Sequence, residues 1–182
     1  MMSFEKKYTP VKYLESTGTQ YIDMGLTLSN NSKIELTYSL KSYGAIFGAQ
    51  QNGSGFTINI NKEANSRWGN YSYVPYSDVN FDKDFREKHN IVYGKEGFYQ
   101  DGVLLNTPAI NEFETLNNGY LFRANGASGI SQVKIYSAKL YDNDVLIRDY
   151  IPKIDNENRP CLFDKVENKC YYNQGTGEFL YE

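Results

Sequence analysis

The sequence contains one histidine, His89, and two cysteines, Cys161 and Cys170. A single imidazole cannot supply the two or three histidine ligands of a typical catalytic zinc site within a monomer. The sequence also lacks a G-x-S-x-G nucleophile motif, a phosphate-binding glycine loop and a dinucleotide fingerprint. His89 could assist a serine or cysteine nucleophile. It stands at the start of a predicted strand, however, where a packed or rim position is the simpler interpretation.

Long apolar runs and clusters of basic residues are also missing. No apolar segment approaches the about 18 residues of a spanning helix, and the N-terminal MMSFEKKYTP has no signal-peptide core. We therefore expect neither a membrane partner nor an export signal in this chain. The 19 basic residues are outnumbered by 22 acidic ones and are spread along the sequence. Nucleic acid is not an expected partner, because phosphate binding uses clustered Lys and Arg.

What the sequence does contain is strand-forming residues. The 182 residues include 17 Tyr, 10 Phe and 15 Gly, and no long helical periodicity. A chain of this length can bury roughly 70% of its unfolded surface as one domain. Short segments with period-two alternation occur at 33–40, 44–50, 55–61, 89–94, 97–105, 119–124 and 131–141. Many short strands without helices predict an all-β fold, a two-sheet antiparallel sandwich or jelly roll.

Two of these segments allow the core face to be predicted. In 33–40 the apolar positions alternate with polar ones, so Ile34, Leu36, Tyr38 and Leu40 should point into the core. The same test on 131–141 places Val133, Ile135 and Ser137 on one side.

Longer motifs resemble a known family. Residues 88–105, KHNIVYGKEGFYQDGVLL, form two predicted strands and a reversal at Asp101-Gly102. This hairpin and residues 129–152, GISQVKIYSAKLYDNDVLIRDYIP, resemble the laminin G-like branch of concanavalin A-like lectin/glucanase domains. The resemblance implies a jelly roll in which the second segment ends the sandwich after an exposed turn at Asp142 to Asp144.

The two ends of the chain extend this resemblance. YLESTGTQYIDMG, Tyr13 to Gly25, and the tail RDYIPKIDNENRPCLFDKVENKCYYNQGTGEF are similar to the ends of laminin G-like domains in phage structural proteins and gut-bacterial surface proteins. The implied organisation is an N-terminal tail at 1–10, a jelly roll at 11–152, and a C-terminal hairpin extension at 153–182 packed on the same domain.

Glucanases of this fold carry an E-x-D-x-x-E strand motif, in which two carboxylates act as nucleophile and acid/base. DKDFRE, Asp82 to Glu87, is a near match with Asp82, Asp84 and Glu87 at the right spacing. Lys83 and Arg86 stand where the family has apolar anchors. The segment is therefore either a divergent hydrolase site or a solvated loop.

Laminin G-like domains often hold a calcium ion through Asp side chains. The candidate ligands here are Asp23, Asp78, Asp101 and Asp142, which are otherwise exposed turn acids. No D-x-D-x-D-G run brings them together in the sequence.

Cys161 and Cys170 flank the short predicted turn DKVEN. A turn centred near Lys165 and Val166 would bring them to disulfide distance across a hairpin. Without an export signal, two free thiols are the alternative.

The densest aromatic segment is RWGNYSYVPY, residues 67–76. As a single strand it would place Tyr71 and Tyr73 on one face, together with Arg67. Flat aromatic rings stack on the C–H face of a sugar, and nearby polar side chains bind its hydroxyl groups. The predicted site therefore consists of Tyr71, Tyr73, Arg67, Asn70, Asn59 and Asn61. The alternative is that the tyrosines cover a sheet rim with their hydroxyls in water.

The resemblance and this segment together predict a non-enzymatic module that binds a bacterial or host cell-surface polysaccharide, as part of a phage tail, a virion or a bacterial surface protein. Weak sites of this kind work through repeated display, so a homo-oligomer is expected. The alternatives are a structural or protein-binding decoration module without a sugar site and the divergent glycoside hydrolase.

Overall fold

The computed structural model describes residues 8–60, 65–73 and 86–182, with the backbone alone at residues 65 and 71–73. These residues form seventeen strands in two antiparallel sheets and no helix. The prediction of an all-β fold with two antiparallel sheets is confirmed. In this part of the chain no helix is long and apolar enough to cross a membrane.

The strands in chain order are β1 (Thr9–Pro10), β2 (Leu14–Glu15), β3 (Ile22–Asp23), β4 (Ser32–Leu40), β5 (Gly44–Gln51), β6 (Ser54–Ile60), β7 (Asn65–Gly69), β8 (Tyr71–Tyr73), β9 (His89–Gly94), β10 (Gly97–Gln100), β11 (Val103–Asn106), β12 (Tyr120–Leu121), β13 (Val133–Asp142), β14 (Val145–Ile154), β15 (Pro160–Asp164), β16 (Lys169–Tyr172) and β17 (Leu180–Tyr181).

The first sheet has eleven strands, with the central order β11-β10-β9-β4-β13-β14-β15-β16. Strand β4 shows the predicted alternation, since Ile34, Leu36, Tyr38 and Leu40 are all buried. Between β10 and β11 the chain reverses at Asp101-Gly102, where both residues have positive φ as a two-residue hairpin turn requires. Strand β9 begins and ends at the predicted residues.

Strand β13 departs from the prediction at Ser137. Val133 and Ile135 are buried as expected, but the inward positions beyond them are Ala138 and Leu140. The register against β4 shifts between Ile135 and Ser137, so a β-bulge reverses the phase of the alternation. The prediction that Ser137 shares the core face is therefore wrong.

The second sheet has six strands in the order β3-β12-β5-β6-β7-β8. Predicted segments 44–50 and 55–61 correspond to β5 and β6. The predicted segment 119–124 contains only the two-residue strand β12.

The two sheets pack face to face around an aromatic centre. Phe56 and Trp68 of the second sheet lie 4.9 and 5.4 Å, between ring centroids, from Tyr93 of the first. All three side chains are at most 1% exposed. Their edge and tilted arrangements are the favourable ones for buried rings. The fold is therefore a β-sandwich, and its jelly-roll connection remains a prediction.

The C-terminal extension continues the first sheet. Strand β15 pairs with β14 and with β16, and β17 pairs with β2 near the start of the chain. Phe179 is buried against Phe122, with 4.4 Å between ring centroids. At the other end, Thr9 and Pro10 of the predicted N-terminal tail pair with β14.

A disulfide joins Cys161 of β15 to Cys170 of β16, with 5.6 Å between their Cα atoms. The bridge is diagonal in the hairpin, because Phe163 is the residue directly opposite Cys170. Of the two alternatives from the sequence, the structure has the disulfide.

Candidate functional site

Residues 67–73 form a hairpin, so the prediction of a single strand is wrong. Strand β7 ends at Gly69, Asn70 forms the turn, and β8 begins at Tyr71. Gly69 has a φ of 59°, a conformation that glycine adopts readily. The reversal places Tyr71 opposite Trp68 in the ladder.

This register changes the predicted faces. Tyr71 pairs with Trp68 and Tyr73 with Ser66, and both of these partners are buried. Residues directly opposite each other in an antiparallel pair share a face of the sheet. Positions 71 and 73 therefore belong to the face of Trp68, and Arg67 belongs to the opposite one. The side chains of Tyr71 and Tyr73 lie outside the described part of the structure.

The structure brings together two of the predicted binding residues. Arg67 pairs with Thr57, and Asn59 lies two residues further along the same strand. Both therefore share the sheet face that points away from the core, because their neighbours Phe56 and Ile58 are buried. Asn70 is exposed at the hairpin turn, and Asn61 falls outside the described residues.

A row of residues crosses this outer face from strand to strand. Asp23 pairs with Tyr120, Tyr120 with Gly48, Gly48 with Thr57, and Thr57 with Arg67. Neighbouring strands are about 4.8 Å apart, so roughly 14 Å of sheet separates the backbones of Tyr120 and Arg67. We use the name outer face for this row together with its neighbours Tyr21, Asn59 and Arg123.

Two tyrosines stand together at one end of the row. The Tyr21 and Tyr120 rings are stacked, with 4.5 Å between centroids and 24° between planes. Burial raises the pKa of the Tyr120 phenol, and the neighbouring Tyr21 and Asp23 raise it further. Tyr120 is therefore a neutral phenol at physiological pH.

The middle of the row carries no large side chain above the sheet. Gly48 has no side chain, and a Cβ built there would collide with the Phe56 carbonyl oxygen. Thr57, the next residue across, is only 4% exposed. Tyr21 stacks on one face of the Tyr120 ring. The row therefore forms a shallow lane between the Tyr120 ring and Arg67.

Guanidinium groups lie near both ends of the lane. Arg67 donates a hydrogen bond to the Gly53 carbonyl, which holds it against the β5–β6 turn. The Arg123 guanidinium lies 5.4 Å from the centre of the Tyr21 ring, and its buried Nε has no hydrogen-bond partner within the part of the chain that the structure describes. Asp23 accepts hydrogen bonds from the Gly25 backbone and from Asn118. The outer face can thus offer hydrogen-bond donors to hydroxyl or carboxylate groups.

The C-terminal extension fixes the position of Tyr21. The Tyr21 backbone N–H donates to Asn173 Oδ1 at 3.1 Å, and its carbonyl accepts from the Gln174 N–H at 2.9 Å. Asn173 is held in turn by Gly175 and Gly177. The C-terminal extension therefore fixes the backbone of Tyr21 and, with it, the position of the stacked tyrosine pair.

The binding candidates predicted from the sequence did not include Tyr21, Tyr120 or Arg123. The local signal was present, since Tyr21 and Asp23 flank the buried Ile22, and Tyr120 precedes the buried Leu121. What the sequence does not contain is the pairing of β12 with β3 and β5. Tyr120 lies 97 positions from Asp23 and 72 from Gly48 along the chain.

The proposed calcium ligands are dispersed. Asp101 Oδ2 lies 2.7 Å from His89 Nδ1, and Asp142 accepts from Asn143. Asp23 belongs to the outer face, and Asp78 falls outside the described residues. Within the described ranges, no three His, Cys, Asp or Glu side chains are grouped as a metal site would require.

The hydrolase motif cannot be placed as a unit, because Asp82 and Asp84 lie outside the described residues. Glu87 is exposed in a turn before β9. His89, with a side chain 16% exposed, connects β9 to the β10–β11 turn through Asp101.

No family model and no curated protein matched the chain in our comparisons.

Proposed function

We propose that the protein is a non-enzymatic recognition module that binds a cell-surface polysaccharide through the outer face of its second sheet. The observation that carries this proposal is the lane between Tyr120 and Arg67, with Gly48 and Thr57 as its floor. An aromatic ring beside a floor without large side chains suits the C–H face of a sugar. Arg67 and Asn59 are placed to bind the hydroxyl or carboxylate groups along its edge.

Two further features support display outside the cell. The Cys161–Cys170 disulfide is a bond that persists in oxidising surroundings. The motif YLESTGTQYIDMG resembles phage structural proteins and bacterial surface proteins. We place the module in such an assembly, where repeated copies compensate for a shallow and weak site.

The test is a glycan array that includes bacterial polysaccharides, probed with a multimerised form of the chain. We expect wild-type binding and a loss of about tenfold in affinity for Tyr120→Ala, the size of one aromatic contact. Tyr136→Ala is the matched control, because Tyr136 belongs to a tyrosine pair with Tyr13 on the first sheet. It should leave binding unchanged.

Two further variants test the site predicted from the sequence. If Tyr71→Ala and Tyr73→Ala abolish binding and Tyr120→Ala does not, the sugar lies on the β7–β8 hairpin and the outer-face proposal is wrong. If the wild type binds no glycan even as a multimer, the alternative of a structural or protein-binding decoration module replaces it.

A further inference from the structure

A second polar depression lies at one end of the sandwich, away from the lane. It consists of two adjoining cavities of about 460 and 250 Å³ that share Asn30 in their walls. The larger is bounded by segment 26–32, residues 113–114 and the β13–β14 turn. The smaller is bounded by Trp68, the β9–β10 turn and residues 108–111. We call the two cavities together the end groove.

The walls of the end groove are held by backbone hydrogen bonds. Asn30 donates its N–H to the Phe113 carbonyl at 3.2 Å and accepts the Phe113 N–H through Oδ1 at 3.4 Å. The N–H of Asn143, at the tip of the β13–β14 hairpin, donates to the Asn31 carbonyl at 3.1 Å. Three separate loops are therefore joined into one rim, so the groove is formed before any ligand binds.

The polar groups in the groove have unused hydrogen-bonding capacity. Asn111 Nδ2 is buried and has no hydrogen-bond partner among the described residues, and the side chain packs against the backbone of Gly69. A buried amide donor without an acceptor is costly, and because Asn111 lines the smaller cavity, a small rotation of its side chain would let a ligand oxygen satisfy the donor. In the larger cavity the Glu114 carboxylate accepts from Thr27 Oγ1, and the Asp142 carboxylate accepts from Asn143 Nδ2. Each carboxylate has further acceptor sites.

Apolar surface accompanies these groups. Phe113 lines the larger cavity, whereas Trp68, which is only 1% exposed, adds little accessible surface to the smaller one; the two rings meet edge to face with 5.2 Å between centroids. Ile147 adds an aliphatic surface beside Asp142. Amides, carboxylates and hydroxyls around a small apolar patch match a ligand that alternates C–H surfaces with hydroxyl groups.

The charge of the end groove further restricts the class of ligand that it can bind. The smaller cavity is lined by one residue of each sign, Lys95 and Glu96. In contrast, the described residues around the larger cavity include Glu114 and Asp142 and no Lys or Arg. An acidic sugar would be repelled there, whereas hydroxyl groups can donate to both carboxylates. We propose that the end groove is a second binding site, separate from the outer face, for an uncharged oligosaccharide of at least two sugar units.

The test is an NMR titration of the ¹⁵N-labelled full chain with cellotetraose, maltotetraose and chitotetraose (N-acetylated), and with tetragalacturonate. At least one neutral tetrasaccharide at millimolar concentration should shift the side-chain amide signals of Asn30 and Asn111. Tetragalacturonate should leave them in place. Asn111→Ala should weaken the neutral ligand about fivefold, and Tyr120→Ala should not affect it.

A charge reversal keeps the proposal testable even if Asn111→Ala fails to fold. Glu114 is exposed, so Glu114→Arg should fold, and it places a cation in the larger cavity. This variant should gain binding of tetragalacturonate at the end groove. Glu112→Arg is the matched control, because Glu112 is also exposed and does not line either cavity.

Three outcomes would overturn the proposal. The first is that no neutral tetrasaccharide shifts Asn30 or Asn111. The second is that tetralysine binds the groove and the neutral sugars do not, which would make it a cationic peptide site. The third is that binding of a neutral sugar is lost in Tyr120→Ala and retained in Asn111→Ala, since the ligand would then lie on the outer face. If the glycan array shows no binding while the neutral sugars still shift the NMR signals of the end groove, only the proposed function of the outer face is rejected.

Discussion

The outer face places guanidinium groups beside stacked tyrosines, whereas the end groove places carboxylates and amides beside a phenylalanine and a tryptophan. Arg67 and Arg123 belong to the first region, and Glu114 and Asp142 to the second. The two regions also differ in construction, because strand pairing forms the outer face and joined loops form the groove. A binding protein with both regions would accept acidic as well as neutral sugars at the outer face, and only neutral sugars at the end groove.

The largest expected effect comes from the residue that lies between the two regions. Trp68 lines the smaller cavity of the end groove and packs against Phe56, Tyr93 and Phe113 in the core. Trp68→Ala should lower the free energy of unfolding by about 3–5 kcal/mol and weaken binding at both sites. Since Trp68 is the only tryptophan, denaturant unfolding is followed by circular dichroism.

Trp68→Phe is the control for this experiment, and it should lose less stability because it keeps an aromatic ring in place. A cost below about 1 kcal/mol for Trp68→Ala would contradict the packing described above.

Removal of the disulfide should have a smaller effect on stability, and it should affect binding at the two regions differently. Cys161 and Cys170 close a short loop, for which the chain-entropy model gives about 2–3 kcal/mol of stability. The double variant Cys161→Ala and Cys170→Ser should lose this amount in thermal or denaturant unfolding. Wild-type protein treated with a reductant should show the same loss.

The same variant should weaken glycan binding at the outer face, because the extension that holds Tyr21 follows directly after β16. Shifts at the end groove should not change. Equal weakening at both sites would mean that the extension supports the whole sandwich and does not act on Tyr21 in particular.

Asn173→Ala tests the support of Tyr21 with a single side chain. The variant removes the acceptor of the Tyr21 N–H, and we expect about fivefold weaker binding at the outer face with the end groove unchanged. Gln174→Ala is the matched control, because Gln174 contacts Tyr21 through its backbone N–H, which the substitution keeps. Isothermal titration with the best array glycan measures both. Identical affinities for the two variants would rule out this positioning role.

The contrast between the regions also explains how far the sequence could be interpreted. Segments 33–40 and 89–94 were predicted almost to the residue, because alternation is a local property of a half-buried strand. At Ser137 the bulge inserts a residue into the alternation, and the sequence carries no clear mark of it. At Gly69-Asn70 a hairpin signal was present in the Gly-Asn pair, but the aromatic segment was interpreted as one continuous strand.

The candidate sites were harder to predict than the strands. Arg67 and Asn59 were identified because they lie on paired neighbouring strands. Tyr120 becomes their neighbour only through the order of β12, β5 and β6, which no local pattern specifies. The end groove was not predicted at all, since Asn30, Asn111 and Asn143 come from three loops and loops have no periodicity.

The smallest effect is a pH dependence that begins in the C-terminal extension. Asp155 is 3% exposed. Burial alone would raise the pKa of Asp155, but hydrogen bonds from the backbone and side chain of Arg159 and from Tyr172 lower it to about 2. Burial and the bond to Asp155 raise the pKa of Tyr172 to about 12, so its phenol remains a donor.

Because the folded-state pKa of Asp155 is below its ordinary value of 3.8, its contribution to stability is fully present above that value. The contribution is lost as the pH falls from 3.8 through about 2. Since Tyr172 immediately precedes Asn173, the support of Tyr21 should weaken in the same range, so amide signals of the outer face should broaden before those of the end groove. Asp155→Asn should lack this pH-dependent component of unfolding in urea. If the variant and the wild type lose stability in parallel between pH 4 and 2, other carboxylates control the acid transition and the extension does not couple to the outer face.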